Sequence, residues 1–308
     1  SRTDRTVVVA PGARPAVLAA MALGASGIAR ATGSAPSRAE PAAAVTDDGT
    51  PLLVVTATGR QAEETAAALT CYLPSTDVAV FPAWETLPHE RLSPRADTVS
   101  TRLSVLRRLA HPEDGQAGAP VSSGAPDPGR GPIRVLVVPV RALLAPVVDG
   151  LGELEPVHLA KGLDVGLEAT AERLAAAAYT RVDMVENRGE FAVRGGILDI
   201  FPPTLARPVR VDFFGDEIES VSTFAVADQR TIEEIGAVTA TACREIVLTD
   251  AVRERARALT GVIPGAADML ERIAAGIPVE GMESLAPVLV PRMVPLLDLV
   301  GDLSLIHI

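Results

Sequence analysis

Arginine is the residue best placed to do chemistry in this 308-residue chain, since of its 28 basic side chains only Lys161 is a lysine. A guanidinium makes paired, fork-like hydrogen bonds to carboxylates, so an arginine held on a sheet face is a ready contact for an acidic surface. The stretch Arg181–Arg230 holds such positions. In Phe191-Ala192-Val193-Arg194 and in Val209-Arg210-Val211-Asp212-Phe213-Phe214, apolar and polar residues alternate. That period puts one face of each strand on a core and predicts that Arg194 and Arg210 stand on the solvated face. Phe214 continues the Arg210–Asp212 row, two pleats from Arg210. An exposed aromatic beside arginines has the composition of an interface anchor. The plain alternative is a structural antiparallel sheet whose arginines pair with acids such as Asp199 and Glu217.

The elements that must hold these side chains form a small meander. Gly195-Gly196 interrupts a run that reads as strand through Ile197-Leu198-Asp199-Ile200, which predicts a bulge or a close backbone approach. Pro202-Pro203 ends that run. Gly215-Asp216 joins two further strands tightly, since glycine adopts positive φ without a Cβ penalty.

The rest of the chain gives a different pattern. Strand and helix alternate over Thr6–Ala10, Ala13–Leu23, Leu52–Thr56, Gln61–Tyr72, Val78–Phe81, Thr98–Leu109 and Arg134–Val140, which predicts a parallel sheet covered by helices. The fold class is therefore α/β: a parallel-sheet domain over residues 1–150, plus a smaller α+β domain with an antiparallel meander over 151–241. A helical segment, residues 242–302, follows with helices at Ala251–Leu259 and Ala266–Ala275. Gly24–Gly49 and Pro112–Gly131 lack contiguous apolar surface and are expected to be surface loops. Between them the prolines of Pro82–Pro94 forbid a long helix while Trp84 and its leucines call for burial, so a packed Ω-like segment is expected.

Composition excludes several functions. A net charge of −11 with no basic cluster argues against tight autonomous DNA binding. No apolar run reaches the roughly 20 residues that span a bilayer, so no membrane contact is expected. Cys71 and Cys243 give neither a disulfide framework nor a metal spacing, fit a cytoplasmic location, and are expected as core fillers. His89, His111 and His158 are scattered, without ligands at metal spacing. Pro11-Gly12 stands where a nucleotide-binding domain would cradle phosphate, but the lysine of a P-loop is absent and Lys161 lies in Ala160-Lys161-Gly162. The site is read as degenerate, with no catalytic residue, no cofactor and no metal in this chain.

Tyr179-Thr180-Arg181, Gly189–Pro202 and Arg210–Glu217 resemble the module shared by the excision-repair protein UvrB and the transcription-repair coupling factors. The block Pro82–Pro94 is similar to the coupling-factor family specifically. The resemblance runs from about Thr6 to about Val300 and implies a protein-binding module that recruits the damage-recognition ATPase UvrA to a stalled RNA polymerase. On it, Arg181, Arg194, Arg210, Asp212 and Phe214 match the family's UvrA-binding positions, presented as UvrB presents its own face. Both Arg210 and Phe214 are expected to be replaceable at little cost to folding. The alternative is a UvrB-type nucleotide-dependent protein that loads onto damaged DNA, but neither its P-loop nor an aromatic-rich clamping hairpin is present. In the family the 242–302 segment begins a further subdomain. Leu303–Ile308 fits no strand or helix closure and resembles translated sequencing adapter. A truncation there would leave outside this chain the polymerase-binding domain and the motor that, with ATP and magnesium, translocates double-stranded DNA.

Overall fold

The computed structural model describes residues 9–23, 51–87, 90–115, 131–300 and 304–307. A 3₁₀ turn at Pro11–Ala13 leads into α1 (Arg14–Ala22). Most of the expected first strand, Thr6–Val8, lies outside the described residues, as do the loop 24–49, His89 and most of the loop 112–131. Next come β1 (Leu52–Thr56), α2 (Gly59–Leu69), β2 (Val78–Val80), α3 (Ala96–Ala110), β3 (Val135–Pro139), α4 (Val140–Leu144) and β4 (Val147–Val148). Every residue of β1 and β3 is buried, as their unbroken apolar runs require of parallel strands covered on both faces. Alternation then divides them. Leu52, Val54, Val135 and Val137 pack under α1 and α2, whereas Leu53, Val55, Leu136 and Val138 pack against α3 on the other side. Helix α2 starts where the Thr58 hydroxyl accepts the Gln61 N–H at 3.2 Å. It ends at Leu69, which leaves Cys71 in the following turn, exposed rather than in the core.

The second unit comprises β5 (Val157–Ala160), α5 (Leu167–Ala176), β6 (Thr180–Arg181), β7 (Glu190–Arg194), β8 (Ile197–Ile200), β9 (Val209–Phe214), β10 (Glu217–Phe224), β11 (Thr231–Glu234) and β12 (Ala237–Ala240). Six strands form one sheet in the order β11-β10-β9-β8-β7-β6, antiparallel except for β6 beside β7. Strands β5 and β12 pair separately. One sheet face buries Phe191, Leu198, Val211, Phe213 and Ile218 with Leu159 and Leu174. The run through Gly195-Gly196 is not one strand but two: Gly195, at φ +60°, starts a two-residue reversal that pairs Arg194 with Ile197. The close approach is present there as well, because Gly196 O accepts the Phe213 N–H at 2.8 Å. Gly215, at φ +65°, makes the corresponding turn between β9 and β10.

The chain then returns to the first unit through α6 (Asp250–Leu259), α7 (Ala267–Ala274), α8 (Ala286–Leu289), β13 (Met293–Val294) and α9 (Leu296–Leu299). Val252, Leu270, Ile273, Leu289 and Leu296 join the same core as α3 and the outer face of β1 and β3, and β13 pairs with β4. The segment expected to fit no strand instead forms β14 (Ser304–His307), parallel to β1. A short β-prone run beside an unpaired strand edge gains ladder hydrogen bonds, which accounts for the difference.

Candidate protein-binding face

The face of the six-stranded sheet turned away from its core carries four of the five predicted residues. Strand β9 is buried at Val209, Val211 and Phe213, while Arg210 and Asp212 are half-buried and Phe214 is exposed. Pairing sets their neighbours: Arg210 lies opposite Asp199 of β8, Asp212 opposite Ile197 and Ser220, and Phe214 opposite Glu217. Asp199 lies across from the small Ala192, and Arg194, two residues along β7, reaches it on the diagonal. Arg181 departs from this row. It lies in β6, its register partner in β7 is Phe191, which faces the core, and it stands at the sheet's end, where an open groove of about 550 Å³ is lined by Arg181, Val182, Asp183, Val193 and Arg194.

Asp199 organises the charges. Its carboxylate is 1% exposed and accepts from Arg210 Nε at 2.7 Å, Arg210 Nη2 at 2.9 Å and Arg194 Nη2 at 2.8 Å. A buried carboxylate needs such partners, and the arginine fork meets both its oxygens. Arg210 also donates from Nη1 to Gln229 O at 3.1 Å and lies over the Phe224 ring at 4.8 Å. Its hydrogen bond with Asp199 raises an already high pKa, so the guanidinium stays charged.

Arg210 therefore does not stand in solvent as expected: its side chain is only 16% exposed. A second small core covers this end of the face, built from Val185, Ala192, Phe201 and Phe224 with Val182 and Val226. Gln229 closes it, held at φ +61° with Nε2 donating to Val226 O at 3.0 Å. Solvent reaches the other end. Arg194 is 46% exposed and Phe214 81%, while Asp212 accepts the Ser220 hydroxyl at 2.6 Å.

Sequence reasoning named Asp199 only as a neutralising neighbour and missed Phe224 and Gln229. The signal for Asp199 was present: a lone acid inside Ile197-Leu198-Asp199-Ile200, flanked by strands with arginine on the same face, has to be paired. Nothing local marks Gln229, whose role depends on a left-handed turn.

The arrangement suits recognition, not covalent chemistry. Burial pushes the Cys243 thiol up to about 12, so it is no nucleophile at neutral pH. Among the described residues no three His, Cys, Asp or Glu side chains come together as a metal site, and no helix is long and apolar enough to cross a membrane. His111 sits 2.9 Å from Glu153 and His158 is 3.2 Å from Thr239. The segment around Trp84 is tied down, with Trp84 Nε1 donating to Glu245 at 2.9 Å and Ser93 donating to Glu283 at 2.7 Å.

Residues 157–245, the whole of this sheet unit, match the family described as the UvrB interaction domain. The chain is 52% identical over 249 residues, 78% of its length, to the transcription-repair-coupling factor of Mycobacterium tuberculosis (strain CDC 1551 / Oshkosh). It is 32% identical over 76% of its length to that of Haemophilus influenzae, and 38% identical over 50% to that of Escherichia coli (strain K12). The chain spans 19%, 19% and 12% of those relatives.

Proposed function

We propose that this chain, homologous to the transcription-repair-coupling factors, is their UvrB-like module and recruits UvrA in transcription-coupled excision repair. The observation that carries the reading is Phe214, 81% exposed on the same sheet row as the Asp199-centred arginines, inside the stretch that matches the UvrB interaction domain. A large exposed aromatic on a sheet face that also carries arginines has the composition of an interface anchor, and a partner that covers it removes its apolar surface from water. UvrA is that partner: the face offers it an anchor for a pocket and donors for carboxylates. In the whole protein, this module brings UvrA to a stalled RNA polymerase, while ATP-driven translocation on duplex DNA belongs to parts beyond this chain. The module itself binds no nucleotide, because Pro11–Ala13 offers a proline-led turn where a P-loop would need a lysine. It works in the cytoplasm.

The test is to mix the purified chain with UvrA from a related bacterium, with and without ATP, and to measure binding by calorimetry. Saturable 1:1 binding per UvrA protomer supports the reading. A folded chain that does not bind UvrA, or that hydrolyses ATP after rigorous repurification, overturns it.

A further inference from the structure

We propose that Asp199 is the positioning residue of this face: its carboxylate locks Arg210 as an internal strut and holds Arg194 in the orientation in which its remaining donors meet the partner. The inference rests on the functional reading above and assigns the arginines unequal parts. All three nitrogens of Arg210 donate inside the molecule, two to Asp199 and one to Gln229 O, and its face is taken by Phe224. Arg194 spends one hydrogen bond on Asp199. The other donors of its five are unpaired among the described residues, and its side chain lines the groove beside Arg181.

A free arginine side chain samples many rotamers and loses that freedom on binding. Asp199 removes part of this cost beforehand. Buried and fixed on β8 between Ala192 and Arg210, it is a rigid anchor for the far end of Arg194. Arg210 in turn supplies the second positive charge beside the buried carboxylate and holds it in place through two hydrogen bonds. Phe214 needs none of this and acts on its own.

The experiment is a double-mutant cycle on UvrA binding, with melting temperatures recorded for every variant. Asp199→Asn keeps the shape of the side chain, but its amide N–H₂ faces a guanidinium N–H. It is expected to weaken binding about tenfold in the parent background and less than about twofold in an Arg194→Ala background, since coupled positions are not additive. A folded Asp199→Asn that binds as the parent does, or that costs the same in both backgrounds, overturns the inference.

If Asp199→Asn does not fold, Arg194→Lys decides. An ammonium keeps the charge but has no fork to hold Asp199 and the partner together, so binding is expected to fall about tenfold. Undiminished binding shows that charge alone suffices and the inference fails. Its failure is separable from that of the functional reading. A parent that binds UvrA and loses it on Phe214→Ala, but not on Asp199→Asn, overturns only the inference. A parent that does not bind UvrA overturns both.

Discussion

Two carboxylates in this molecule, Glu245 and Asp199, are each shared by two side chains and each almost wholly buried, yet their surroundings differ. Glu245 accepts from Arg102 Nε and from Trp84 Nε1, and Arg102 is as dry as its partner, at 2% against 1% exposure. The Arg102 guanidinium also donates to Pro82 O at 2.9 Å and lies over the Phe81 ring at 4.1 Å. Around Asp199 exposure rises instead in steps, through Arg210 and Arg194 to Phe214. The first cluster is sealed and joins α3 to the irregular segment that follows β12. The second runs from dry to wet across one sheet face. A buried arginine–carboxylate pair thus serves as architecture in one place and as the dry root of a surface in the other, and what separates them is the fate of the outermost donors. Neighbouring Arg244 strengthens the first assignment, since it donates to Glu283 at 2.9 Å and to Val279 O at 3.2 Å across the same seam.

The sealed cluster is where substitution costs most. Arg102→Ala leaves a buried carboxylate without a charged partner and is expected to destabilise the chain by about 4 kcal/mol, read from the urea midpoint. Replacing both partners, Arg102→Met with Glu245→Leu, is expected to recover most of that loss, because the desolvation of two charges disappears with their attraction. Binding to UvrA, measured well below the melting transition, stays at the parent level in the double variant. If the double variant is as unstable as the single one, the pair is not what holds the seam.

Arg210→Glu comes next, at about 3 kcal/mol of lost stability, because it sets a second acid against buried Asp199. This reverses what the alternation of β9 suggests. From the sequence Arg210 and Phe214 are equivalent members of one solvated row; in the structure only Phe214 is free of the fold. A melting temperature unchanged by Arg210→Glu would mean that the cover formed by Phe224 and Gln229 opens in solution.

Phe214→Ala removes no core contact and is expected to leave stability within about 0.5 kcal/mol of the parent. UvrA affinity is expected to fall roughly thirtyfold, the equivalent of about 2 kcal/mol at an anchoring aromatic. Unchanged affinity would leave the exposed ring without a role and remove the contrast between the two clusters.

How far this contrast could be read in advance differs by element. Strands such as β1 and β9 were legible because their periods are clean: an unbroken apolar run in Leu52–Thr56, strict alternation in Val209–Phe214. So was the face itself, since alternation alone puts Arg194, Arg210, Asp212 and Phe214 on one side. The burial of Arg210 was not legible, because its cover comes from Val185, Phe224 and Gln229, distant or in a left-handed turn, and a strand period says nothing of what lies above it. The place of Arg181 at the sheet's end was not legible for a related reason: β6 is two residues long and parallel to its neighbour, a pairing no local pattern announces. The reversal at Gly195-Gly196 was read as a bulge or a close backbone approach within one strand, because two glycines permit a bulge as readily as a tight turn.

A third carboxylate, Glu190 at the start of β7, gives the smallest of these effects and tests the cover over Arg210 from beneath. It accepts from the Glu186 and Asn187 N–H groups at 2.9 and 2.7 Å and from Asn187 Nδ2 at 3.0 Å, and so shapes the loop that carries Val185. Burial works to raise its carboxyl, but the hydrogen bonds from the Asn187 side chain and from the two backbone groups outweigh it and hold the pKa below its ordinary 4.5. A carboxyl lowered in the folded state adds stability at pH values above its ordinary value and gives it up as pH falls through the folded one. Glu190→Gln is therefore expected to cost about 1 kcal/mol at pH 7, in the range of a lost capping side chain. That gap should hold down to about pH 4.5 and close below it as the parent's carboxyl is protonated in both states. Urea midpoints for the two proteins between pH 3 and 7 measure it. A gap that does not change with pH would show that the ionised form of Glu190 is not what orders the loop, and the cover over Arg210 would then rest on Val185 and Gln229 alone.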